Sequence, residues 1–384
     1  MAAGGARAAY QAGVLSRIGE LPAVRDRPCP FRVIEGISAG AVNAAAIVDG
    51  AENLTAASRR LADLWSGLSM SDVVRTDLPC LAGNALRWLF DLAFGGLVGA
   101  GHARSLLDPA PLRQLLARRL DFARIHRQVR ERRVHALALT ATDYASGRTF
   151  IFVEGGHEVA LWRGARRRAV STQITLDHVL ASAAIPLVFP PVRLTLPDGP
   201  SWFGDGCLRM PAPAGPAIRL GADRLLAIGL RHHPQVGEST DAPLTAGPCA
   251  QQEPPPLSQI LGVSLSALFV DQLDADTEHL ERINRNVQRD VLVARDGDDD
   301  LRRVDALFIT PSVDLSAIAK THFHHIPPQI RYLLGGLGVR TNANADLLSH
   351  LMFEAAYTRE LVAAGRRDAD ARIDEIEALL TGVR

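Results

Sequence analysis

Ser38 stands between Gly36 and Gly40 in the stretch "EGISAGAVNAAAI" (35–47), a G-x-S-x-G frame. A serine hydroxyl is a weak nucleophile, so it does chemistry only when it is lifted clear of its neighbours and given a base. The two glycines meet the first need by leaving room for a tight turn. The run before it, "FRVIEGI" (31–37), reads as a buried strand, and "AGAVNAAAIVDG" (39–50) as a helix closed by Gly50. Strand, sharp turn with serine, then helix is the order of a nucleophile elbow. A helix starting near Ala39 also aims free backbone N–H groups and its positive dipole end at the reacting centre. The same five residues suit a serine that merely caps a helix.

The second need is a base. Of the twelve histidines, none sits in an obvious turn after a late strand with an acid upstream. His232 and His233 adjoin a proline-rich stretch, and "THFHH" (321–325) is distal. A carboxylate is the alternative. "SWFGDGCLRMPAP" (201–213) sets Asp205 between Gly204 and Gly206 in what reads as another sharp turn. An aspartate that is hydrogen-bonded and desolvated becomes more basic than a free aspartate side chain, which titrates near about 3.9. An ordinary Asx turn is the plainer reading of those residues.

The third need is a set of donors aimed at the charge that develops on a carbonyl oxygen. "AAGGARAAY" (2–10) offers Gly4 and Gly5, whose N–H groups are unobstructed, at a turn opening a helix, with Arg7 as a fixed positive charge. As a phosphate cradle the stretch is weak, since it lacks the G-x-G-x-x-G spacing and a Walker lysine.

These pieces need a scaffold. Helical spacing is read over 7–21 (Val14, Leu15, Ile18, Leu21), 52–70, 108–120 with Pro109 in its first turn, and 175–185 before Pro186. Strands are read at 134–145 and 148–155, joined by a "YASG" turn, and at 224–231. Strands alternating with helices predict an α/β fold in three layers, a mainly parallel central sheet covered by helices on both faces. Residues 233–256 are polar and proline-rich and read as a linker or surface loop. Beyond them, 264–286 and 346–380 are long helical patterns, and 305–312 reads as a strand that could join the main sheet.

Taken in order, the glycine turn "GGARAAYQAGVL" (4–15), the elbow "GISAG" (36–40), "ASAAIPLVFPPV" (181–192) and "DG" (205–206) resemble the patatin-like phospholipases of bacterial type. These are serine lipid acyl hydrolases with a Ser–Asp dyad. The resemblance covers roughly residues 4–232 and divides the chain into a catalytic region (1–232), the linker (233–256) and a mainly helical C-terminal region (257–384). It implies Ser38 as nucleophile, Asp205 as base, Gly4, Gly5 and Ala6 as oxyanion donors, Arg7 as support for that turn, and Gly36 and Gly40 as elbow glycines. It implies an acyl-serine intermediate, a phospholipid or lysophospholipid ester as substrate, and neither metal nor organic cofactor. Two departures carry expectations. Cys207 stands where the aspartate motif usually has glycine or alanine, and would be strained if that position needs φ > 0. The family also places an apolar strand directly before the glycine turn, where this sequence has only Met1, Ala2 and Ala3. Either the natural product starts further upstream or another segment fills that strand's place.

The totals fit this picture. In 384 residues, 47% are hydrophobic, enough for a large core, and 42 basic residues balance 42 acidic ones. With no net field, nothing steers the chain to nucleic acid; the positive charge is almost all arginine, Lys320 being the one lysine. Four cysteines without C-x-x-C spacing predict a reducing compartment and no disulfide framework. The first residues show no basic segment followed by an apolar core, so the expected location is cytoplasmic, with transient contact at a membrane surface. The apolar stretch 81–101 approaches membrane-spanning length, but Arg87, Asp91 and five glycines argue against a span and leave a lid, a surface-lying helix or core packing. "DGDDD" (296–300) lacks EF-hand spacing and reads as a solvated turn. "HFHH" (322–325) has no further metal ligand nearby in sequence, and "WRGARRR" (162–168) reads as a basic loop. Two other functions stay open: an esterase with a Ser–His–Asp triad, and a lipid-binding protein without activity.

Overall fold

The computed structural model describes residues 1–98, 105–156, 159, 161–210, 213–232, 260, 263, 264, 267, 271–288, 302–336 and 345–382. The linker 233–256 and the acidic run 296–300 lie outside these residues.

Among the described residues eight strands form two sheets: β1 (Val33–Ile37), β2 (Ala136–Asp143), β3 (Thr149–Gly155), β4 (Arg167–Ser171), β5 (Val192–Leu196), β6 (Gly199–Asp205), β7 (Arg224–Ile228) and β8 (Asp305–Ile309). The α/β class expected from the alternation holds. The mainly parallel pairing does not. β1–β2 and β3–β4 are parallel, whereas β2–β3, β2–β6 and β5–β6 are antiparallel. The reason is local: the "YASG" turn, and Pro197–Asp198 between β5 and β6, are too short for a crossover helix and make hairpins. β2 is buried along its whole length and is the sheet's centre, which suits its nearly continuous apolar and small residues.

The strand expected over 305–312 forms at its first five residues but does not join that sheet. β8 pairs in parallel with β7 as a separate two-stranded sheet. Between β7 and β1 lie Met1 and Ala2. The Met1 ammonium donates to the Glu35 carbonyl at 2.8 Å, and the Ile37 N–H donates to the Met1 carbonyl at 3.2 Å. On the other side the Ala2 N–H reaches the Ile228 carbonyl at 3.5 Å, and Gln11 Nε2 donates to the Ala2 carbonyl at 2.9 Å. These two residues stand where a strand before the glycine turn is expected. A cavity of about 430 Å³ continues alongside them between Arg32–Glu35 and Asp223–Ile228, away from Ser38.

Helices α1 (Ala9–Ile18), α2 (Ala39–Asp49) and α3 (Leu54–Ser66) cover the glycine turn and the elbow. α1 packs along the C-terminal helix Ala355–Ala371, where the buried Tyr10 hydroxyl donates to Asp368 at 2.9 Å. One hydrophobic cluster runs from Ala3 to Ile376, so the C-terminal helices share the core of the first half. The apolar stretch 81–101 falls on a helix, Leu78–Val98, with Leu86 and Phe90 exposed. Among the described residues no helix is long and apolar enough to cross a membrane.

Candidate active site

One edge of β2 carries two strands in succession. β1 runs beside Ala136–Thr140 and ends with Ile37 opposite Thr140. β6 arrives antiparallel beside Ala141–Asp143 and ends with Asp205 opposite Ala141. The C-terminal ends of β1 and β6 therefore meet head-on at two adjacent residues of β2. The residue that follows β1 is Ser38, and the residue that ends β6 is Asp205.

Ser38 occupies φ 57°, ψ −129°, a conformation that strains any residue with a Cβ. The turn is held in place. The Ser38 N–H donates to Ser182 Oγ at 3.0 Å, and the Ser182 hydroxyl donates to the Thr140 carbonyl at 2.7 Å. Gly36 lies so close to the start of α2 that a Cβ there would collide with the Gly40 carbonyl. The frame glycines thus allow the strand to fold back tightly onto the helix it leads into.

The Ser38 hydroxyl donates to Asp205 Oδ2 at 2.6 Å. Asp205 is wholly buried, and its other oxygen accepts from the Cys207 N–H at 3.0 Å. Its backbone is fixed by its N–H to the Ala184 carbonyl at 3.0 Å and by the Thr142 hydroxyl on its own carbonyl at 2.9 Å. Burial pushes the carboxyl up to about 6, against the opposing pull of the hydrogen bonds from Ser38 and Cys207. Cys207 does not adopt positive φ, so the strain expected for a cysteine there is absent. Its thiol is buried against Asp205, and burial together with that carboxylate pushes it well up from its usual value.

Gly5 begins a short 3₁₀ turn, Gly5–Ala8, with φ 56°. The Arg7 N–H closes the turn onto the Gly4 carbonyl at 3.1 Å. Arg7 itself is buried, and it faces the C-terminal region rather than Ser38. Its Nε donates to Ser349 Oγ at 2.8 Å, and its Nη2 to Ser316 Oγ at 2.8 Å and Asp346 Oδ1 at 2.9 Å. Burial alone would raise the Asp346 carboxyl, but the Ser316 hydroxyl and the Arg7 charge outweigh it and hold it below the usual range.

His350 Nδ1 lies 3.0 Å from the Gly4 carbonyl. A carbonyl can only accept, so Nδ1 carries the proton. Burial, then the Arg7 charge, pushes this imidazole down to about 3, which keeps it neutral at ordinary pH. Ser182, Ser316, Asp346, Ser349 and His350 were not legible as site residues. They sit in apolar helical patterns or turns, and the last four are more than 300 residues from the turn they support.

Gly5 and Ser38 line a common apolar cavity of about 50 Å³, walled by Val42, Leu68, Leu116, Phe189 and Phe353 among others. An open cleft of about 450 Å³ shares Leu112, Ala183 and Phe189 with it and carries Arg113 and Arg193. Of the other histidines raised by the sequence, His232 Nδ1 meets the Pro311 carbonyl at 3.0 Å and His322 Nε2 meets Glu360 at 2.9 Å, while His233 lies outside the described residues. Among the described residues no histidine hydrogen-bonds Ser38, and no group of three or more His, Cys, Asp or Glu could hold a metal ion.

Such an arrangement holds a hydroxyl on a buried carboxylate beside an apolar cavity. Comparisons with known proteins bear on what family uses it. No curated protein matches the chain. Among solved structures, VipD from Legionella pneumophila is similar over 94% of this chain and 66% of its own, at 11% identity and a TM-score of 0.30. A family model described as patatin-like phospholipase matches residues 1–218, more than half of the chain and every element of the site except the C-terminal supports. The chain belongs to the patatin-like phospholipases, a family of lipid acyl hydrolases.

Proposed function

We propose that the protein cleaves carboxylic esters of phospholipids or lysophospholipids through an acyl-serine intermediate, with Ser38 as nucleophile and Asp205 as general base. The observation that carries this reading is the 2.6 Å hydrogen bond from the Ser38 hydroxyl to a wholly buried carboxylate. Asp205 takes the hydroxyl proton as Oγ bonds to the ester carbonyl carbon. The oxyanion that forms is met by the N–H groups of the glycine turn, Gly4, Gly5 and Ala6. Collapse breaks the bond to the alcohol, which leaves with the proton held by Asp205. Asp205 then takes a proton from a water molecule as its oxygen bonds to the acyl carbon, and passes that proton to Ser38 Oγ as the acyl–Oγ bond breaks and the carboxylic acid leaves.

The apolar cavity beside Ser38 suits an acyl chain, and Arg113 and Arg193 on the adjoining cleft suit a phosphate-bearing remainder. Exposed Leu86, Phe90, Leu187 and Trp202 fit transient contact with a membrane surface. Hydrolysis of a panel running from short p-nitrophenyl esters to phospholipid vesicles, by wild type and Ser38→Ala, tests the reading. Vesicle hydrolysis that disappears in Ser38→Ala is expected. Cleavage of short esters alone removes the phospholipid assignment, and binding without cleavage leaves a lipid-binding protein.

A further inference from the structure

The Gly4–Gly5 peptide has no Cβ on either side, so little opposes its rotation as a unit. Whether its N–H faces a developing oxyanion must be decided by something outside the turn. A trans peptide is planar, with its C=O and N–H pointing in opposite directions. Whatever holds the Gly4 carbonyl therefore aims the Gly5 N–H the other way. Among the described residues two donors hold that carbonyl: the Arg7 N–H at 3.1 Å, within the turn, and His350 Nδ1 at 3.0 Å, from the helix Ala345–Leu351.

We infer that His350 is a positioning residue, acting through the Gly4 carbonyl to turn the Gly5 N–H toward the cavity that Gly5 shares with Ser38. The inference rests on the ester-hydrolase reading above and assigns part of the oxyanion site to the C-terminal region. Three further observations fit it. No hydrogen bond among the described residues takes the Gly5 N–H. The His350 carbonyl packs against Gly5 so closely that a Cβ on Gly5 would collide with it, so helix and turn are in direct contact. Ser349 and Asp346, one residue and four residues before His350, hold the Arg7 guanidinium. The same helix thus fixes both ends of the turn.

The experiment compares wild type, His350→Leu, His350→Asn and His350→Gln. It measures kcat and KM on p-nitrophenyl butyrate per Ser38 titrated with a fluorophosphonate, and thermal unfolding for each variant. Loss of a single oxyanion donor lowers kcat about 10²-fold. His350→Leu should therefore lose about 100-fold in kcat with KM changed less than about threefold. Asn carries an amide donor near the position of Nδ1 and should recover to within about tenfold of wild type. Gln, whose amide reaches further out, should not. The Asn–Gln contrast decides the matter even if His350→Leu fails to fold. Equal rates for Asn and Gln, or a folded His350→Leu with kcat near wild type, overturn the inference and leave the parent reading intact. A wild type that is neither labelled at Ser38 nor active overturns the parent reading, and this inference with it.

Discussion

Ser38 and Asp205, 167 residues apart in the chain, are joined by a 2.6 Å hydrogen bond because β1 and β6 end against consecutive residues of the same edge of β2. Their meeting is thus a property of strand register. A one-residue slip of either strand would turn its side chains to the opposite face and part the two groups.

The buried carboxylate makes the protein sensitive to pH in two opposite ways. Asp205 serves as a base only when ionised, and burial raises it to about 6. kcat/KM should fall about tenfold per unit as pH drops below that value. Stability runs the other way. The folded state holds the Asp205 proton more tightly than the unfolded chain, whose value is 3.8. The contribution of this group is full below about pH 4 and is lost as pH rises through about 6. Asp205→Asn does not titrate. Its stability relative to wild type should rise across that window and level off above it, read by denaturant melts at several pH values. A flat difference would place the Asp205 pKa near its unfolded value.

The elbow conformation predicts an inversion between two inactive variants. Ser38→Ala keeps a Cβ at φ 57°, and Ser38→Gly does not. The glycine variant should be the more stable by about 1 kcal/mol, despite the extra entropy of glycine in the unfolded chain. Thermal unfolding of the pair at one pH checks this. A less stable glycine variant would mean that the turn carries no strain.

Val42 lies on α2 and walls the small apolar cavity beside Ser38. Val42→Phe should fill it. A methylene in such a pocket is worth about 1–3 kcal/mol. The ratio of kcat/KM for a dodecanoyl ester to that for an acetyl ester should therefore fall at least about tenfold, with the acetyl ester little affected. An unchanged ratio would place the acyl chain elsewhere.

What the sequence made legible was local. Ser38 and Asp205 each lie in a short run whose glycines and flanking strand announce a sharp turn, and Gly4–Arg7 announce another. What it hid was long-range. The supports of the glycine turn, Ser316, Asp346, Ser349 and His350, carry no motif and are brought there by the packing of α1 against the helix Ala355–Ala371. Nor did the strand-like run 305–312 say which sheet it would join. Met1 and Ala2 lie between β7 and β1, and β7–β8 remain a separate pair. The mixed pairing of the larger sheet was written in two short turns, which alternation of strands and helices alone obscures.

The most direct test of the Ser38–Asp205 relationship is the rate at which a fluorophosphonate modifies Ser38, followed by intact mass and peptide mapping at pH 8. Wild type should acquire one adduct, on the peptide that contains Ser38, and folded Asp205→Asn should react at least about 100-fold more slowly. No adduct at Ser38 in wild type, or equal rates in the two proteins, would contradict the account.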